Sequence, residues 1–201
     1  MIEAIVLAAG LAARMGEVKP LTSIEGEPSL SRILRTIGTA GIARPIVVLG
    51  TRSAGRIEEA LDLTGCAVVV NDAPEAGMSR SLLLGLEAVS GSAVGAVVFH
   101  ADMPFIRPET VRAVLDGAQA GARIVAPIYR ERRGFPVFFD RSCFPRLKRS
   151  LSGDAGGRAY IETHREDLVL VPVDDAGSVY DIDRPADLSA WKGGRACATS
   201  A

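Results

Sequence analysis

The sequence predicts an α/β fold with a mostly parallel sheet and helices on both faces, and three observations predict it. Short aliphatic runs alternate with segments of helical periodicity up to about residue 126, the rhythm of strand–crossover–strand units with right-handed connections. The composition is 48% hydrophobic but only 5% aromatic, which suits strands buried on both faces and helices packed closely on them. A chain of 201 residues is long enough to bury most of its apolar surface in one domain.

The elements follow in order. Ile2 to Ala8 reads as a strand and runs into a Gly/Ala loop. Leu30, Ile33, Leu34 and Ile37 fall at i, i+3, i+4 and i+7, so the segment from Pro28 to Ile37 is a helix. Pro45 to Leu49 is a second strand, Gly55 to Leu63 a helix, and Ala67 to Val70 a third strand. Ser81 to Val89 is helical, Val94 to Phe99 a fourth strand, Pro108 to Ala120 a helix and Arg123 to Ala126 a strand. After residue 127 the rhythm breaks. The charged segment Tyr129 to Arg133 precedes a strand at Pro136 to Phe139, further helical stretches follow, Leu168 to Val171 is a strand, and Pro185 opens a closing helix through Trp191. The second half is expected to complete the same sheet and add an acceptor-side lobe. Residues 1–192 are read as one domain and 193–201, which lack apolar periodicity, as a flexible tail.

Charge and composition exclude several classes. The net charge of -1 gives no basic excess for nucleic acid. Cys66, Cys143 and Cys197 have no metal-ligand spacing, and with only His100 and His164 present a zinc cluster is excluded in favour of free thiols in a reducing compartment. No apolar run is long enough to span a bilayer. The apolar start lacks the preceding basic residues of a signal peptide. The chain is therefore expected to be cytoplasmic.

Three stretches carry chemistry. Leu7-Ala-Ala-Gly10-Leu-Ala-Ala-Arg14-Met-Gly16-Glu-Val-Lys19 follows the first strand. Its glycines and alanines let backbone N–H groups approach phosphate, Arg14 adds a forked donor and Lys19 a mobile point charge. The glycine spacing is neither that of a Walker loop nor of a dinucleotide fingerprint. His100-Ala-Asp102-Met-Pro104 ends the fourth strand, where ligands of open α/β sheets bind. Asp102 there suits a magnesium ion, the alternative being a cap for the helix near Pro108. In Asp181-Ile-Asp183-Arg-Pro185-Ala-Asp187 two acids at i and i+2 share a side if extended. Asp183 is read as a second metal ligand and Asp187 as a helix-dipole acid. His100 is given no role.

The first stretch resembles the nucleotidyltransferase signature L-A-A-G-x-x-x-R-M-G-x-x-K at every specified position, and the other two resemble the D-M-P and D-I-D-x-P-x-D-L elements of the same enzymes. Gly77-Met-Ser-Arg-Ser81 resembles the G-M-S-x-S-L element of molybdenum cofactor cytidylyltransferases, which approaches the nucleobase. By the residues alone, Ser79 could simply be an N-cap, the commoner role of such a serine. Arg133-Gly-Phe-Pro136 and Gly153-Asp-Ala-Gly-Gly-Arg158 resemble that family's acceptor-side G-H-P and G-D-x-G-A-R elements. Phe135 stands where His is expected, and Gly157 where Ala is expected. The resemblance runs from residue 3 to residue 191.

The resemblance implies the Rossmann-like fold of nucleotide-diphospho-sugar transferases, with Arg14, Lys19 and Asp102 catalytic and magnesium held by Asp102 and Asp183, Asp181 being a weaker candidate. It implies a nucleotide site made by Leu7, Ala8, Ala9, Gly10, Arg14, Lys19, Gly77, Met78, Ser79 and Ser81. It implies an acceptor site of Gly134, Pro136, Asp154 and Arg158. The expected reaction moves CMP from CTP to a molybdopterin-type cofactor, with a molybdoenzyme as eventual client. A guanylyltransferase for the same cofactor and a transferase acting on a sugar phosphate or other phosphorylated metabolite share the same core. A non-catalytic carrier would have no need of groups that neutralise pyrophosphate.

Overall fold

The structure, a computed structural model, describes residues 1–10 and 18–191. Strand β1 (Ile2–Ala8) is followed by the two-residue strands β2 (Ser23–Ile24) and β3 (Glu27–Pro28), which pair as a small hairpin apart from the main sheet. Then come α1 (Ser29–Thr39), β4 (Ile46–Gly50), α2 (Ala54–Ala60), β5 (Ala67–Asn71), α3 (Met78–Ala88), β6 (Gly95–His100) and α4 (Pro108–Gln119). The second half runs β7 (Ile124–Tyr129), β8 (Arg132–Arg133), β9 (Val137–Asp140), α5 (Phe144–Ser150), α6 (Arg158–Thr163), β10 (Leu168–Pro172) and α7 (Pro185–Ala190).

The main sheet has the order β10-β7-β9-β6-β1-β4-β5, with β8 paired to β7. β1 pairs in parallel with both β4 and β6, β4 with β5, and β10 with β7. Only β9 and the short β8 run antiparallel to their partners. The expected α/β architecture is therefore present, and the break in rhythm after residue 127 is the insertion of β9 between β6 and β7.

Period-2 alternation in β1 divides the core. Ala4, Val6 and Ala8 join one apolar cluster with Leu30, Ile33 and Ile37 of α1. Ile5 and Leu7 join the other with Leu82 and Leu86 of α3 and Leu147 of α5. A central strand buried on both faces is what a near-continuous aliphatic run dictates. The register Leu7↔His100 brings the ends of β1 and β6 to one rim, and Asn71 ends β5 opposite Gly50 on the same rim.

Two helix caps differ from expectation for one reason. Helix α3 begins at Met78, three residues earlier than the apolar pattern places it, and its N-cap is Gly77 rather than Ser79. The missing cap comes from a distant loop, because the Asp154 carboxylate accepts the Met78 N–H at 3.2 Å. Likewise α4 is not capped by Asp102. Asp175 accepts from the Arg107 N–H at 2.9 Å and from the Thr110 hydroxyl at 2.6 Å. Both acids lie far away in sequence, so local pattern does not reveal them. Among the described residues no helix is long and apolar enough to cross a membrane. Cys66 and Cys143 are free thiols, while Cys197 and the rest of the 193–201 tail lie outside the described residues.

Candidate active site

Three segments meet at the rim of the sheet: the loop after β1, the end of β6, and the chain leading into α7. Lys19 opens a single helical turn at 19–21 and reaches across the rim. Its ammonium lies 2.5 Å from an Asp183 carboxylate oxygen and 3.8 Å from one of Asp102. The Ile182 N–H donates to the Asp102 carbonyl at 2.8 Å, and Ile182 is itself buried. That bond pins the acids on either side of Ile182 next to the end of β6. Asp187 supports the arrangement from below, its carboxylate accepting the Asp183 and Arg184 N–H groups at 2.8 and 2.7 Å. Asp187 therefore holds the backbone at the start of α7, the structural part the sequence suggests for it.

Burial sets the electrostatics. Loss of solvent pushes the Asp102 carboxyl above the ordinary aspartate value, and Asp181 pushes it the same way, while His100 and Lys19 pull it down. Burial pushes His100 below the ordinary imidazole value against the opposing pull of Asp102 and Asp181. The His100 ring packs on that of Phe135 with centroids 4.2 Å apart. The Lys19 ammonium, lying between Asp102 and Asp183, stands in for a cation there. Hard carboxylate donors around a positive charge fit a divalent metal of the magnesium type, which takes one or two carboxylates and completes its shell with water and phosphate oxygens. Among the described residues no group of three or more His, Cys, Asp or Glu side chains is placed to hold a metal ion.

Beside this cluster opens a cavity of about 340 Å³ lined by Gly10, Gly77, Met78, Ser81, Asp102 and Asp154 among others. Gly77 has φ +91°, and a Cβ there would sit 2.6 Å from the Gly153 carbonyl oxygen. Only glycine permits both the conformation and the approach of the 153–156 segment. Ser79, expected near a nucleobase, is buried and accepts the Gly156 N–H at 3.2 Å. Its side chain ties α3 to that segment, whereas Ser81 lines the cavity. Leu7 and Ala9 also line it, but the Ala8 side chain belongs to the core facing α1. Arg14 lies outside the described residues.

A second cavity of about 380 Å³ shares Leu7, Met78 and His100 with the first. Its floor is apolar, with Leu82, Val98, Phe135, Val137 and Phe139, and its rim carries Arg133, Arg158 and Glu162. Gly134 lines it, and its N–H donates to the Pro127 carbonyl at 2.8 Å. Pro136 is buried and supports the wall without lining it. Arg158 is bound to Glu162 at 2.8 Å. Partial desolvation lowers the Arg133 pKa, although Glu162 opposes the shift.

Sequence reasoning quotes Arg133 within an acceptor-side element without giving it a role, and it misses Glu75 and Asn71. Glu75 precedes the Gly77 loop, so proximity to a motif already chosen is the available signal. Asn71 ends a parallel strand at the ligand-binding rim, a position that itself marks a candidate.

Residues 4–168 match the model of the MobA-like NTP transferase domain. Among solved structures the chain is similar to Rv0371c from Mycobacterium tuberculosis, at 30% identity with a TM-score of 0.84, covering 94% of this chain and 96% of that one. The same protein has also been solved as a complex with manganese, so divalent-metal binding occurs among these relatives. A nicotine blue oxidoreductase from Paenarthrobacter nicotinovorans is 27% identical over 190 residues, 90% of this chain and 92% of that protein. The bifunctional protein GlmU of Dinoroseobacter shibae is 33% identical over 123 residues, 60% of this chain. That match spans about a quarter of GlmU, 27% of its length.

Proposed function

This chain belongs to the MobA-like NTP transferase family, and on that premise we propose that it transfers CMP from CTP to a molybdopterin-type cofactor with release of pyrophosphate. The observation that carries the reading is the Lys19 ammonium between Asp102 and Asp183, beside a cavity that adjoins an apolar, arginine-rimmed one. Paired carboxylates around a mobile cation suit the handling of a triphosphate. An apolar floor with cations at its edge suits an acceptor with a ring system and a phosphate.

In this reading Asp102 and Asp183 hold a magnesium ion, which when bound neutralises triphosphate charge. Lys19 moves from the carboxylates to the phosphates, and the backbone at Gly10 lies against them. An acceptor phosphate oxygen attacks the α-phosphorus in line; a new P–O bond forms as the α–β bond breaks, and pyrophosphate carries away the electron pair. No side-chain nucleophile is required, because positioning and charge neutralisation supply the rate. Preference for CTP is supported by the likeness of the 77–81 segment to the cytidylyltransferase element and by Ser81 lining the cavity.

The test is pyrophosphate release from each of the four NTPs with purified molybdopterin, with and without magnesium. Magnesium-dependent release with CTP, together with a dinucleotide product, is the expected result. Turnover equal or better with GTP overturns the cytidylyl assignment, and no release with any NTP overturns the transferase reading. Oxidation of a reduced nicotinamide or flavin donor, assayed in parallel, tests the redox alternative raised by the likeness to an oxidoreductase along nearly the whole chain.

A further inference from the structure

One wall of the cavity on the nucleotide side holds a hydrogen-bonded pair that the transfer chemistry does not use. Asn71, the last residue of β5, is 0% exposed, and Ser81 of α3 is 4% exposed and lines the cavity. Asn71 Oδ1 accepts the backbone N–H of Ala73 at 3.0 Å. A backbone N–H can only donate, so this bond decides which end of the side-chain amide is oxygen. Nδ2 therefore faces Ser81 and donates to its Oγ at 2.9 Å.

The serine oxygen is thus committed as an acceptor on the Asn71 side, and its own proton must point elsewhere. Among the described residues no protein acceptor takes that proton, and a buried donor without an acceptor is costly. The cavity is the remaining direction. Its other polar side chains include the carboxylates of Glu75 and Asp154, which accept. With the Ser81 donor at the ring-nitrogen position and a carboxylate at the exocyclic one, the wall matches cytosine, whose N3 accepts and whose amino group donates, whereas uracil presents the same two positions with donor and acceptor exchanged.

We infer that Asn71 is a positioning residue for base selection: it locks Ser81 as a hydrogen-bond donor into the nucleotide cavity, so that cytosine is accepted and uracil rejected. The inference rests on reading that cavity as the nucleotide site. Asn71→Asp inverts the polarity, because a carboxylate accepts from both Ala73 N–H and the Ser81 hydroxyl and leaves Ser81 only an acceptor toward the ligand. Ser81→Ala removes the hydroxyl while keeping the Asn71–Ala73 bond.

The experiment is calorimetric binding of CTP and UTP to the full chain, which needs no acceptor and no turnover. Wild type is expected to favour CTP by about tenfold or more. Asn71→Asp is expected to bring the two affinities within about threefold or to reverse them, and Ser81→Ala to lose the discrimination as well. Should Asn71→Asp fail to fold, Ser81→Ala decides alone. Unchanged discrimination in a folded variant, with only a lower Tm, overturns the inference and makes the pair a packing device. Binding of neither nucleotide by wild type overturns the reading of the cavity itself, and the inference with it.

Discussion

Replacing Lys19 by Met keeps the apolar stem, removes the charge, and is expected to tighten binding of manganese alone while weakening use of the nucleotide. The ammonium lies 2.5 Å from Asp183 and 3.8 Å from Asp102, so a metal arriving without nucleotide must displace it. Two unit charges 4 Å apart interact by about 1 kcal/mol in water and about 4 kcal/mol at an effective dielectric of 20. Lys19 and Asp102 are 20% and 29% exposed at the side chain but Asp183 is 52% exposed, so screening places the contribution near the low end. About 1.4 kcal/mol, or tenfold in Kd, is a fair magnitude. The assay is titration of free manganese by electron paramagnetic resonance, first without nucleotide and then with CTP. Metal alone should bind the variant about tenfold more tightly, and the gain should shrink or reverse once CTP is present, because wild-type Lys19 then serves the phosphates. Equal or weaker binding of manganese alone would refute the claim that the lysine occupies the cation position.

Other outcomes follow from the same geometry. Asp102→Asn should reduce turnover at least about a hundredfold, the scale of one lost electrostatic contact in the transition state, without lowering Tm. Because burial raises this carboxyl's pKa in the folded protein, the native state holds more protons than the unfolded one between the two values. Stability therefore falls as pH rises through that window, and Asn removes the cost; a Tm well below wild type at pH 7 would contradict this. Gly77→Ala should cost about 2–4 kcal/mol from its positive φ and the clash with Gly153, seen as a Tm drop of roughly 4–16 °C; a wild-type Tm would show that the loop yields freely. Arg133→Ala should raise the acceptor KM more than Arg158→Ala, since Arg158 is already paired with Glu162; the opposite order in steady-state kinetics would reverse the assignment.

Much of this architecture was legible because aliphatic runs and 3.6-residue periodicity are local signals. Strand β1 falls at the expected residues, and α1 and α4 within two residues of theirs. The strand at 137–140 was legible, but its antiparallel placement between β6 and β7 was not, since pairing partners are non-local. The start of α3 was misplaced because its cap, Asp154, is 76 residues away. The site divides in the same manner. Lys19, Asp102 and Asp183 stood out as charges at strand ends or in Gly-rich and Pro-flanked loops. Asn71 did not, because a strand-end asparagine has significance only once Ala73 and Ser81 are seen against it. Spacing does not show that the Ser79 hydroxyl meets the Gly156 N–H, since that partner is 77 residues away.

The two cavities are physically joined by one strap. Asp154 lines the first and Arg158 the second, only four residues apart, and between them the Gly156 N–H is bonded to Ser79. On the far side the strap presses on Gly77 and caps α3 through Met78, which with Leu7 and His100 lines both cavities. In the proposed reading, an acceptor that draws on Arg158 therefore acts on the helix start that shapes the first cavity. A nucleotide that displaces Met78 acts in return on the acceptor wall. Coupling of this kind is reciprocal in binding free energy, so Gly77→Ala should raise the KM values for NTP and acceptor together. A change in one alone would mean that the strap does not connect the two cavities.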